Sequence, residues 1–179
     1  MLAAAGIKLG TPLIRVDTGA VARRVERITL VQSARVRRSW PDTIVIWIRP
    51  RTAVFAVPAQ GGYDLVDSFG VSLAWKHKRP ANLPVLLSPA GPVASLRGSQ
   101  AVLAAGTVLQ SLPGRVRQLV TGVRAAGLAA VTLVLRGGAT VLWGGTDRAA
   151  AKADELVILL RARARYYDVS DPGTAVTGR

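Results

Sequence analysis

A chain of 179 residues, half of them hydrophobic, has apolar matter for one or two small cores and too much of it for a disordered segment. The absence of cysteine excludes disulfides, thiolate metal sites and a cysteine nucleophile. A formal net charge of +14 favours anionic company (nucleic acid, an acidic membrane surface, an anionic wall polymer) and says nothing about the fold.

That charge is spread along the chain. Residues 1–56 carry ten basic against three acidic side chains, and residues 57–179 carry fourteen against seven. Twenty of the basic residues are arginine, which with the alanine and valine excess fits GC-rich coding. No window approaches the roughly 18 apolar residues of a spanning helix, and MLAAAGIKLG lacks the charged start of a secretory signal.

In chain order, residues 2–7 read as the tail of a helix stopped near Gly10. A second helix runs from Asp17 or Thr18, with Ala20, Val21, Val25 and Ile28 inward and Arg23, Arg24, Glu26 and Arg27 outward. The period then drops to two. Val31, Ser33 and Arg35 alternate with Gln32, Ala34 and Val36 up to a corner at Trp40-Pro41-Asp42. Beyond it, Ile44, Ile46 and Ile48 point one way and Val45 and Trp47 the other. Pro41 prevents a strand from running through the corner, so the segment predicts a hairpin. Arg35, Arg37 and Arg38 are expected on its exposed face as a solvated, edge-protecting set.

From residue 52 the texture is β. TAVFAV predicts a strand, and YDLVDSFGVSLAW a hairpin turning at Asp67, Ser68 and Gly70. KHKRPANLPVLLSPAGP predicts a loop holding a short strand at PVLL. Residues 99–112 have helical spacing and stop at Pro113-Gly114. Residues 116–124, 128–135 and 139–143 read as three strands, and 147–165 as a helix capped by Thr146 or Asp147. YYDVSDPGTAVTGR closes the chain with a strand, a Pro-Gly turn and an alternating tail. The fold class is α+β, with domains at 1–52 and 53–179.

Catalytic readings find little. His77 is the one histidine and sits in the charged loop KHKR. Asp64 and Asp67 would be the acids of a small hydrolase, but they flank a strand and a turn, where carboxylates serve turn geometry. LWGGTDRAAAK, Leu142 to Lys152, suggests a phosphate cradle at a helix start. Its spacing does not match G-x-x-x-x-G-K-[ST], so a glycine turn with Lys152 laying its stem on apolar surface is expected. No catalytic residue, cofactor or metal is expected. The alternative function is a basic nucleic-acid-binding protein. Against it, Trp40 and Trp47 fall at a corner and within the apolar strand, not among the arginines as stacking sheets require.

The ordered set GTPLIRVDTGAVARRVE, SARVRRSWPDTIVIWIRPR, LVDSFGV, LRGGATVLWGG and YYDVSDPG resembles the FtsQ/DivIB family of bacterial cell-division proteins, in an actinobacterial form. The resemblance implies a POTRA domain over residues 1–52 and a mixed β domain with two helices and a C-terminal edge strand over 53–179. It implies a non-enzymatic scaffold at the division septum, outside the cytoplasmic membrane, that binds FtsB/DivIC and FtsL and helps control septal wall synthesis. It implies no specific nucleic acid and no small-molecule substrate. The POTRA pattern begins with a strand, whereas Met1 falls inside the first helix, so a missing first strand and an upstream membrane span are expected. Pro50-Arg51 stands where the family pattern has Glu-Arg, and Pro50 takes a donor out of the ladder. The implied partner site is the terminal strand, Tyr166 to Thr177, open to strand addition, with Tyr167, Val169, Ser170, Ala175 and Thr177 toward the partner.

Overall fold

The computed structural model describes residues 2–8, 10–87 and 93–178. The stretch 88–92, expected to be loop, and Met1, expected inside the first helix, lie outside the described residues. The chain divides into two compact units, Met1–Thr52 and Ala53–Arg179.

In the first unit, α1 (Leu2–Ala5) ends where Gly6 takes φ +60°, a left-handed stop that glycine adopts without steric cost. A 3-10 turn at Leu13–Arg15 follows. α2 (Thr18–Glu26) is capped by Asp17, whose carboxylate accepts the Ala20 amide at 2.9 Å. That hydrogen bond holds the Asp17 carboxyl below its usual range. Val21 and Val25 turn inward with Val16 and Val31. Asp17→Ala leaves the first amides without this acceptor and is expected to lower the midpoint of a urea transition.

β1 (Val31–Ser39) and β2 (Thr43–Pro50) form an antiparallel hairpin joined through a cis Trp40–Pro41 bond. Ala34, Val36, Ile44, Ile46 and Ile48 pack toward the core of this unit. The ladder shifts register between Val31 and Ser33, where Pro50 lacks a donor, and resumes with the Arg51 amide on the Leu30 carbonyl at 2.8 Å.

Two arginines expected in solvent are structural. Arg24 donates twice to the Ala5 carbonyl, at 3.0 and 2.7 Å, and ties α1 to α2. Arg38 lies on the inner side of the hairpin and donates to the carbonyls of Leu13 at 2.9 Å and Val16 at 2.8 Å. Carbonyls brought close by the fold, invisible to local periodicity, claim them. Arg35 and Arg37 do lie on the outer face, and Trp47 stands between them and Arg49, half exposed, instead of in the apolar layer.

The second unit is built on β3 (Phe55–Ala59), β4 (Gly62–Val66), β5 (Ser72–Lys76), β6 (Val85–Leu86), β7 (Val120–Ala125), β8 (Val131–Leu135), β9 (Thr140–Gly144), β10 (Tyr166–Asp168) and β11 (Val176–Gly178). Among the described residues they form one sheet in the order β11-β10-β9-β8-β7-β6-β3-β4-β5. β3–β6, β6–β7 and β9–β10 are parallel, and the other pairs antiparallel. Helices α3 (Gln100–Ser111), the single turn α4 (Gly114–Arg117) and α5 (Ala149–Leu159) interrupt the strands. α3 presents Val102, Ala105, Val108 and Leu109 to a core that includes Phe55, Val123, Leu133, Trp143 and Leu156.

Several boundaries differ from the sequence reading: β3 starts at Phe55, β8 at Val131, and the last helix ends at Leu159 with a 3-10 turn to Ala162, short of residue 165. Residues 116–119 are not strand: Arg117 donates its backbone amide to Pro113 and its guanidinium to the carbonyls of Gln110 and Leu112, so the chain makes a helical turn before β7 begins. α5 starts at Ala149, because Arg148 takes φ +47° and the Asp147 carboxylate is drawn to Lys152 instead of capping.

Candidate functional site

The terminal segment is held on two sides and free on a third. β10 pairs in parallel with β9, Tyr167 against Val141, and antiparallel with β11, Tyr167 against Thr177. β10 is therefore interior. β11 is the outermost strand, and among the described residues nothing pairs with its other edge.

The candidate residues fall into two groups. Tyr167 is 2% exposed and Val169 fully buried, both in the hydrophobic core, and the Val169 amide donates to Leu142 O at 3.0 Å. Their side chains serve the sheet and cannot face a partner. Ser170 turns inward to Asp168, to which its amide donates at 2.9 Å and its hydroxyl at 2.7 Å. Ala175 packs against the core, and Thr177 is exposed. Tyr166 and Val176, which the sequence reading passed over, are the exposed large side chains here, Val176 at 59%. Tyr166 lies opposite Gly178 and Asp168 opposite Val176, so these side chains share the face away from Tyr167. The error is one of phase, since a shift of one residue exchanges the two faces of a strand. The signal was the parallel neighbour β9, whose buried Val141 sets Tyr167 inward.

A polar network positions the loop that delivers β11. Lys152 is fully buried, and its ammonium donates to Gly145 O at 3.0 Å and to Asp147 Oδ1 at 3.3 Å. This lysine is engaged inside the chain, and Gly144-Gly145 make a turn, so the suspected phosphate cradle has another use. Arg148 reaches from Asp147 Oδ2 at 3.5 Å to Asp171 Oδ1 at 2.7 Å. Thr174 donates its hydroxyl to Asp171, and the Gly173 amide donates to Glu155 Oε1 at 3.3 Å. The 169–175 loop is thereby tied to the start and middle of α5.

Removing the Asp147 carboxylate leaves a buried ammonium short of a partner. Asp147→Ala is expected to lower the midpoint of a denaturant titration, and Lys152→Met added to it to recover most of the loss, since an apolar stem needs no acceptor.

The hydrogen bond and charge of Lys152 hold the Asp147 carboxyl below its usual range. Burial pushes Asp168 up, but the Ser170 hydroxyl and amide and the Tyr166 hydroxyl outweigh it, so its carboxyl also lies low. Groups with depressed folded values contribute stability above the unfolded carboxyl value of about 4, and it is lost as pH falls through the folded values. Amide exchange of β11 is therefore expected to accelerate relative to β8 below about pH 4 and to be flat from there to neutrality.

Asp67 holds turn backbone and Asp64 a strand hydroxyl. Asp67 is buried, and its Oδ1 accepts the amides of Phe69 and Val71, each at 2.9 Å. Asp64 accepts the Ser72 hydroxyl at 3.1 Å. Among the described residues no cluster of His, Asp and Glu could hold a metal ion, and no helix is long and apolar enough to cross a membrane.

Residues 2–51 match the family model of the FtsQ-type POTRA domain. The chain is 38% identical over 172 residues to cell division protein FtsQ of Mycobacterium leprae, covering 96% of this chain and 49% of that protein. It is 35% identical over 176 residues to cell division protein FtsQ of Streptomyces griseus, covering 95% of this chain and 85% of the relative. It spans about half the length of the mycobacterial relatives it matches. The solved major extracytoplasmic domain of the division protein DivIB from Geobacillus stearothermophilus aligns with 64% of this chain and 92% of its own, at 16% identity and a TM-score of 0.43.

Proposed function

Because the chain belongs to the FtsQ family of bacterial cell division proteins, we propose that it is a non-enzymatic scaffold of the division machinery that lends the outer edge of β11 to a strand of a partner. The observation that carries this reading is the place of β11 at the end of the sheet with an unpaired edge among the described residues. Such an edge offers N–H and C=O groups in register for an incoming extended segment. Affinity then comes from main-chain hydrogen bonds, and the face bearing Tyr166 and Val176 supplies apolar contact beside them. The partners are FtsB/DivIC and FtsL, met outside the cytoplasmic membrane at the septum, where the assembly helps control wall synthesis.

The test is amide exchange of the chain with and without the extracytoplasmic segments of FtsB/DivIC and FtsL. Added protection centred on Val176–Gly178 is the expected result. Binding that protects only other strands overturns the reading.

A further inference from the structure

Within the first unit, the outer face of the β1–β2 hairpin is a second surface that packs against nothing among the described residues of that unit. Ser33 stands opposite Arg49, Arg35 opposite Trp47, and Arg37 opposite Val45, so Arg35, Arg37, Arg49 and Trp47 share one face. A shallow cavity of about 510 Å³ opens among them, and no carboxylate lines it. The three arginines are exposed and, among the described residues, their guanidinium groups make no hydrogen bond or ion pair. The Arg37 guanidinium sits 6.0 Å from the centre of the Trp47 ring. Arg24 and Arg38, by contrast, are spent on backbone carbonyls. The fold thus separates structural arginines from a set it leaves free around a half-exposed indole.

We propose that this face docks on an anionic phospholipid surface, the guanidiniums on headgroup phosphates and the Trp47 ring at headgroup depth. Charge complementarity is one reason: three unpaired cations lie on a unit that carries ten basic and three acidic side chains over residues 1–52. The indole is another, since an amphipathic ring beside cations favours a membrane–water interface. β1 and β2 are each paired along one edge only, and a peptide strand added at a free edge would lie beside the arginine face and not over it. A single indole gives one stacking platform, where single-stranded nucleic acid is held by several. Free guanidiniums over a lattice of like headgroups need no register. The inference is independent of strand capture at β11.

The test uses the whole chain sedimented with vesicles of phosphatidylcholine alone or mixed with phosphatidylglycerol. Retention on the mixed vesicles only, abolished by salt, is expected. Arg35→Gln/Arg37→Gln/Arg49→Gln is expected to weaken partitioning about a hundredfold. Arg115→Gln/Arg136→Gln/Arg161→Gln makes the same change of charge at exposed sites elsewhere and leaves it largely unaltered. The vesicle-induced blue shift of tryptophan emission is expected to vanish in Trp47→Phe. Equal losses from the two triple variants, or an unchanged blue shift in Trp47→Phe, overturn the proposal. So does tighter binding of a polyglutamate peptide or a single-stranded oligonucleotide to the same three arginines.

Discussion

Proline at Val176 or at Thr177 is expected to weaken partner-strand capture at least about tenfold, equivalent to roughly 1.4 kcal/mol. β11 is three residues long, so each residue supplies a large share of the edge. Along an antiparallel edge strand, backbone groups alternate between the neighbour already present and the open side. Proline at the position whose N–H faces outward removes a donor from the partner and leaves β10–β11 pairing in place. At the other position it breaks the existing ladder and loosens the whole strand. One variant should therefore lose binding at unchanged stability, and the other should lose binding with faster exchange of β11. Thr177→Ser, which keeps the backbone, should bind like the parent. Calorimetric titration with the FtsB/DivIC segment decides, and proline variants that both bind at parental affinity would remove the strand-addition mechanism. Truncating Tyr167 or Val169 gives a different signature, a loss of global stability of about 2–5 kcal/mol, because both fill the core.

The contrast between those substitutions marks where sequence reading stops. α2 was legible because a cap, Asp17, and inward positions, Val21 and Val25, lie within one helix and carry their own period. The hairpin was legible because alternation on both sides of Trp40-Pro41 leaves no other pairing. The terminal segment was legible as a candidate edge from its place in the chain, and the sheet does end at β11. Which of its side chains faces outward was not legible, since that depends on pairing with β9, some 25 residues upstream in register. Arg24, Arg38 and Lys152 share this difficulty. Each is claimed by a carbonyl or carboxylate placed by the fold, and nothing in the local pattern separates them from Arg35 or Arg37. Alternation sets Trp47 on the face away from Ile44, Ile46 and Ile48, but only the pairing with Arg35 shows that this is the face bearing the arginines.

Gly70→Ala is expected to destabilise the chain by about 3 kcal/mol or more, against about 1 kcal/mol for Gly98→Ala. Both glycines hold left-handed backbone, φ +78° and +72°. A methyl group on Gly98 meets nothing, so that variant carries only the conformational cost. A methyl group on Gly70 overlaps the carbonyl of Leu96, which already accepts the Ser99 amide at 3.0 Å. The loop cannot move away freely. The Gly98 amide holds Phe69 O at 2.9 Å, and Asp67 clasps the amides on both sides of Gly70. The Asp67–Gly70 pair within LVDSFG is thus a folding element, a buried carboxylate and a glycine locking one turn against the chain ahead of α3. Urea transitions of the two variants measure the difference, and equal midpoints would mean that the turn yields. Because β5 and β11 close opposite ends of the sheet, the folded fraction of Gly70→Ala should still capture the partner strand at parental affinity. A loss of affinity in that folded fraction would show that the turn and the docking edge are coupled across the sheet.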